Sequence, residues 1–367
     1  MSTEFFEYYN PTRIVFGANS LEALGKYIVG RIGGNLALIL VDTKTFLGCR
    51  DLLRELTESL KSNGIEYVVY DKIPLNPNLS DLEEAVKMYS ESYADLIVGF
   101  GGLNAVDSAK IIAGAISLGG ILSRVVEKYD KITTTPPIVV VPSSHGNGME
   151  VSGYTRIISG GKVYFAYSNA FYPRLTILDP RITLKTPLNI SSLSVVEALT
   201  NALSALTSVN ASEMSNLYST AGIKTIIEYH RLLLENPGDL RVRGKLLWAS
   251  MIAGRALDLT GPGLAHVIAH TFTILYPGLY YAKILSAILP AWIKRVLPRT
   301  RNRELIARTL NTRIENIADS VNELLNGLKA SMRLSDMGLT RSDVMEILRH
   351  IEEGYRVDAK TILEESL

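Results

Sequence analysis

The sequence predicts an α/β plus all-α protein, a doubly wound nucleotide-binding half followed by an all-helical half, on three observations. Short β-branched runs alternate with helix-period stretches up to about residue 187. That alternation stops after Pro187. One run, Asp95-Leu-Ile-Val-Gly-Phe-Gly-Gly-Leu-Asn-Ala-Val-Asp-Ser-Ala-Lys110, passes from an apolar strand through a glycine cluster directly into a helix. Strands that alternate with helices pair in parallel, because each helix returns the chain to the same end of the sheet.

Taken in order, Leu36 to Asp42, Glu66 to Asp71, Asp95 to Gly102 and Pro137 to Ser144 read as parallel strands. Between them Cys49 to Gly64, Ser80 to Ser92 and Ala105 to Leu118 carry helical periodicity, and Ser80 with Glu83 has the spacing of a capping box. Thr155 to Asn169 reads as a hairpin turning at Ser159-Gly160-Gly161-Lys162, and Arg174 to Asp179 as one more strand. From Ser191 onward the pattern is helical, broken at Asn236-Pro237-Gly238, Gly261-Pro262-Gly263 and Pro277-Gly278. The division is therefore drawn into residues 1–187 and 188–367. Leu264 to Ile293 is strongly apolar, but His266, His270, Lys283 and the Pro277-Gly278 break point to buried core helices rather than a membrane span.

The composition narrows the partners. With 38 Lys and Arg against 37 Asp and Glu, the chain has no basic field for nucleic acid, so a small-molecule substrate is expected, with neither nucleic acid nor membrane as partner. The single cysteine, Cys49, excludes an internal disulfide, and the start Met1-Ser2-Thr3-Glu4 lacks a charged-then-apolar signal segment, which together predict a cytoplasmic protein. A homo-oligomer, a dimer, is the expected assembly.

The glycine turn carries the first chemical reading. Gly99, Gly101 and Gly102 let the backbone turn tightly, and the following helix, expected from about Ala105, points its free N–H groups toward an anion. Gly99-x-Gly101-x-x-Asn104 lacks the last glycine of the dinucleotide fingerprint, so the pattern alone equally describes a tight strand-to-helix turn.

Three stretches, in order and beginning with this turn, carry a resemblance. Gly101-Gly102-Leu103-Asn104-Ala105-Val106-Asp107-Ser108-Ala109-Lys110 is similar to G-G-G-S-x-x-D-x-A-K. Pro142-Ser143-Ser144-His145-Gly146-Asn147-Gly148-Met149-Glu150-Val151 is close to P-T-T-A-G-T-G-S-E-V, and Gly263-Leu264-Ala265-His266-Val267-Ile268-Ala269-His270 resembles G-L-x-H-A-M-A-H. Leu178-Asp179-Pro180 and Leu334-Ser335-Asp336-Met337-Gly338-Leu339 add weaker matches. Together these resemble the iron-containing alcohol dehydrogenase family from about Pro11 to the C-terminal helices. The resemblance implies a cleft between the halves, with a nicotinamide cofactor over the glycine turn. It implies phosphate contacts at Gly101, Gly102 and Asn104, with Asp107 close by and Ser143, Ser144 and Gly148 approaching from the next strand. It places Asp42 at the adenine ribose, which favours NAD over NADP, and His270 near the substrate, where it could relay a proton. His145 stands where the family has a small residue and is a candidate acid, base or replacement ligand.

By the same resemblance a divalent metal, iron or zinc, would be held at four positions that here carry Glu197, Asn201, His266 and either Tyr280 or Tyr281. Only Glu197 and His266 are ordinary ligands. An asparagine carbonyl and a phenol of pKa near ~10 replace imidazoles poorly on such metals, so the metal is expected to be weak or absent. Glu197 should then bond to Asn201 or a tyrosine hydroxyl, or take up a proton. Tyr280, with His145 and His270, would supply donors to a carbonyl in the metal's place. Leu103 stands at the third glycine of the family's G-G-G-S motif, where by the resemblance its side chain would intrude on phosphate space. The function this predicts is a nicotinamide-dependent oxidoreductase of a small alcohol or aldehyde. The alternatives are a non-catalytic member acting in binding or assembly, and a sugar-phosphate lyase of the dehydroquinate synthase type.

Overall fold

The computed structural model describes residues 6–367; the start Met1 to Glu4, on which part of the localisation reading rests, lies outside them. In chain order the strands are β1 (Arg13–Phe16), β2 (Leu36–Asp42), β3 (Glu66–Ile73), β4 (Leu96–Gly101), β5 (Ile138–Pro142), β6 (Tyr154–Ser159), β7 (Lys162–Tyr167) and β8 (Leu175–Leu178). Six of them form one parallel sheet in the order β1-β8-β5-β4-β2-β3. The near-continuous apolar runs follow from burial on both faces. Leu38, Leu40, Ile97, Ile138 and Val140 enter one core layer, while Ile39, Val41, Val98, Val139 and Val141 enter the other.

Helices α1 (Thr43–Gly48), α2 (Arg50–Lys61), α3 (Glu83–Ser92) and α4 (Leu103–Ser117) supply those layers. α4 begins at Leu103, two residues before the expected start, because Gly102 is extended and already serves as its N-cap. The expected Ser80–Glu83 capping box is displaced as well. The reciprocal box joins Asn78 and Asp81, which cap a 3-10 turn leading into α3. β1, which sequence reading did not pick out, has only four residues and pairs with β8 alone. The hairpin β6–β7 turns where expected, through Gly160 and Gly161, both at positive φ as a two-residue hairpin requires.

Among the described residues no strand follows Leu178, and the rest is helical. α5 (Leu188–Thr207), α6 (Glu213–Glu235), α7 (Leu240–Thr260), α8 (Leu264–Leu275) and α9 (Tyr281–Val296) precede shorter helices that run to Glu365. α5 is long and apolar enough to cross a membrane, yet 89% of its apolar window is buried inside the molecule, which makes it a core helix. α8 and α9, which divide the apolar stretch 264–293, contribute Ala265, Ile268, Phe272, Ile284, Leu285 and Ile288 to the same core. The two halves approach closely at Gly148 and Gly254 of α7, where an added Cβ on Gly148 would lie 2.4 Å from the Gly254 Cα.

Candidate active-site cleft

The order of strands reverses between β2 and β4, since β2 leads outward to β3 and β4 leads the other way to β5 and β8. Open α/β sheets bind ligands at the carboxyl ends of the strands beside such a point. A cleft of about 580 Å³ lies there, lined by Asp42, Lys44 and Thr45 after β2, Gly102, Leu103 and Asn104 after β4, and Ser143, Ser144 and Asn147 after β5. The helical half closes it with Ile190, Glu197, Tyr280 and Tyr281. A second, nearly closed cavity of about 30 Å³ continues behind it among Arg156, Glu197, Asn201, His266, His270 and Tyr281.

Asp42 ties the strand ends together. Its carboxylate accepts from Thr45 N at 2.9 Å as the cap of α1, from Thr45 Oγ1 at 2.9 Å, and from Gly102 N at 2.8 Å. The Gly102 N–H, expected to face a phosphate, is thus answered by a side chain of the protein. Gly101 does not line the cleft; it is needed because a Cβ there would lie 2.1 Å from Asp42 Oδ2. Ser143 shares a hydrogen bond with Thr45 Oγ1 at 3.1 Å. Leu103 reaches both cavities.

Three expectations are corrected by burial. Asp107 does not face the cleft: it is 1% exposed and accepts from Thr155 Oγ1 at 3.1 Å and Arg156 N at 3.2 Å, with Arg156 Nε 3.3 Å from its second oxygen. Gly148 is not at the cleft either, since its φ of 70° and its approach to Gly254 serve the packing of the two halves. His145 lines neither cavity. It is buried with both ring nitrogens lacking a partner among the described residues. Burial and the nearby Arg243 push its pKa down to about 3, so it is neutral.

The positions that would hold a metal do converge. His266 Nδ1 and the Tyr281 hydroxyl share a hydrogen bond at 2.5 Å, and His266 Nε2 is buried without a partner. The Tyr281 ring also stacks on His270, with centroids 3.9 Å apart. Asn201 turns its amide N–H groups away from Glu197, to the carbonyls of Gly146 and Asn147 at 3.1 Å each, so the expected Asn201–Glu197 bond is absent. Tyr280 lines the larger cleft beside Glu197 and Tyr281. Burial pushes the Glu197 carboxyl up to about 8, against the opposing pull of Arg156. This set does not fit a tightly held divalent ion. Among the described residues no three His, Cys, Asp or Glu side chains are placed so that they could hold one metal ion, one of the four positions is committed to backbone carbonyls and another to an imidazole, and a structural or catalytic zinc wants at least three good ligands.

Sequence reading missed Arg156. A charged residue inside the apolar run Thr155-Arg156-Ile157-Ile158 was the available signal. It lines both cavities while only 5% exposed. Lys110, also unassigned, donates to the carbonyls of Met149, Ser152 and Tyr154 at 2.6–2.7 Å and so clamps the segment leading to it.

A doubly wound sheet with a cleft at its switch point, closed by a helical half, defines a two-part α/β-plus-helical protein with the cleft where open α/β sheets place their ligands. Residues 11–180 match the iron-containing alcohol dehydrogenase family, and residues 192–354 match that family's C-terminal domain. The chain belongs to the iron-containing alcohol dehydrogenase family. It is 28% identical over 316 residues to the long-chain primary alcohol dehydrogenase of Thermoanaerobacter ethanolicus, covering 82% of this chain and 78% of that one. To the NAD-dependent methanol dehydrogenase of Bacillus methanolicus it is 24% identical over 88% of this chain and 82% of the other. The crystal structure of the NADH-dependent butanol dehydrogenase A of Thermotoga maritima superposes with a TM-score of 0.87 at 26% identity, over 99% of this chain and 98% of that one.

Proposed function

We propose that this protein transfers a hydride between NAD(H) and a small alcohol or aldehyde, without a tightly bound metal. The observation that carries the reading is the cleft at the switch point, where the ends of β2, β4 and β5 meet over Gly102–Asn104 in a chain of this family. The relatives named for NAD or NADH support the choice of cofactor. The Asp42 carboxylate at the cleft wall supports NAD over NADP, because it repels a 2′-phosphate. The cofactor would lie along Gly102 to Asn104 and Ser143 to Ser144, with its nicotinamide toward Glu197, Tyr280 and Tyr281. His270, stacked on Tyr281 and held neutral by burial, borders the substrate end.

Two observations favour the non-catalytic alternative: Asp42 occupies the Gly102 N–H, and the Leu103 side chain lines the cleft at the glycine turn. A fluorescence titration with NADH and NADPH decides between them. Saturable NADH binding, tighter than NADPH, followed by NADH oxidation with short-chain aldehydes supports the enzyme. Absence of binding to either leaves the binding or assembly role.

A further inference from the structure

Arg156 is a buried charge at the junction of the two cavities, and the family motifs assign it no role. Its place is built from several directions. Nε faces Asp107 Oδ2 at 3.3 Å, Nη1 donates to Asn76 Oδ1 at 3.0 Å and lies 3.5 Å from His270 Nδ1, and Nη2 donates to Asn104 Oδ1 at 2.9 Å. A guanidinium carries five N–H donors, and these contacts engage at most four, leaving one on Nη2. The backbone beneath it is fixed by Asp107, which accepts from Arg156 N, and by the Lys110 clamp on residues 149–154. The side chain is thereby pre-positioned, and its one ion-pair partner is Asp107 among the described residues.

A fixed cation here has two effects. It opposes entry of a dication among Glu197, His266 and Tyr281, which share the small cavity with it. It also supplies what a carbonyl needs when hydride arrives, a positive donor aimed at the oxygen on which negative charge develops. We infer that Arg156 is the oxyanion-stabilising catalytic residue of this protein, its guanidinium receiving the substrate carbonyl oxygen where the family uses a metal ion. The inference rests on the oxidoreductase reading. In the reducing direction a bound NADH would supply one hydrogen with its two electrons to the carbonyl carbon. The C=O π pair would move to oxygen, and the alkoxide held by the guanidinium would take one proton from bulk solvent through water, so that aldehyde, NADH and H⁺ give alcohol and NAD⁺. Arg156 is no proton source, since a guanidinium keeps its charge at working pH.

The test uses the full-length protein and Arg156→Gln, Arg156→Ala and Arg156→Lys, each treated with chelator and assayed for NADH binding and for reduction of short-chain aldehydes. The wild type should turn over equally with and without chelator. Arg156→Gln and Arg156→Ala should lose on the order of 100-fold or more in kcat, the scale of losing an oxyanion donor, while the NADH dissociation constant stays within about threefold, a binding energy change under one kcal/mol. Added guanidinium should restore part of the Arg156→Ala activity, which a merely structural role would not allow. Should the truncated variants fail to fold, Arg156→Lys keeps the charge and loses the fork, and a folded Lys variant with reduced kcat carries the same conclusion. Wild-type turnover abolished by chelator and restored by iron or zinc overturns the inference, as does full kcat in Arg156→Gln, or NADH binding with no aldehyde reduced. Failure of the wild type to bind NADH is a different result: it removes the oxidoreductase reading, and the role of Arg156 with it.

Discussion

The Tyr281 hydroxyl lies 2.5 Å from His266 Nδ1, so the imidazole expected to bind a metal is engaged through one ring nitrogen by one of the two tyrosines at the neighbouring ligand position. The same tyrosine ring is stacked on His270. One side chain thus fills the space of a ligand and immobilises both histidines of α8.

That relationship predicts how a metal site could be regained. Asn201→His with Tyr281→His adds two imidazoles beside Glu197 and His266. The double variant should bind about one zinc per chain, as a site of three or more good ligands does, while the parent retains little. Elemental analysis after dialysis reads this directly. Equal zinc in both proteins would show that the parent completes its site with other residues.

At the glycine turn, Leu103→Gly removes a side chain that borders both cavities. NADH should bind several-fold more tightly, a gain of about 1 kcal/mol for relieving one close contact. An unchanged dissociation constant would move the phosphates away from this turn.

Gly148→Ala tests the seam between the halves. The residue has φ of 70°, and the new methyl would sit 2.4 Å from the Gly254 Cα, a backbone atom with nowhere to go. Strain and overpacking together should cost about 3 kcal/mol or more, seen as a lower melting temperature. Gly254→Ala, whose methyl would meet the Gly148 carbonyl oxygen at 2.4 Å, should do the same.

A pH dependence follows from Glu150, which is fully buried and pushed up to about 7 by that burial. Its folded pKa lies above the ordinary carboxyl value of ~4.3. Between these values the folded protein holds a proton that the unfolded chain has released, so stability is greatest below the lower value and is lost as pH rises through the upper one. Glu150→Gln keeps an acceptor and cannot ionise. Between pH 5 and 8 its melting temperature should therefore fall less than that of the parent; parallel curves would mean that Glu150 does not titrate in this range.

Much of the fold is local and was legible. β2 runs over Leu36–Asp42 as its short apolar run indicates, the hairpin turns at Gly160-Gly161, and helical periodicity fills the second half, because period and turn chemistry are properties of neighbouring residues. β1 was not legible, since four edge residues carry too little pattern. The site divides in the same way. The family resemblance, not the spacing alone, brought Glu197 and His266 together with Tyr280 or Tyr281; the structure puts Glu197, His266 and Tyr281 around one cavity. Only the tertiary structure decided that Asp42 closes on Gly102, that Asp107 turns from the cleft to hold a residue 49 positions away, and that Arg156, 80 positions from Asn76, becomes a buried cation at the cleft wall. A sequence specifies which side chains can hydrogen-bond or carry charge, but partners so distant along the chain are chosen by the order of strands and the approach of the two halves. Burial then enforces the choice, because a polar group removed from water must find whatever partner the fold has brought within reach.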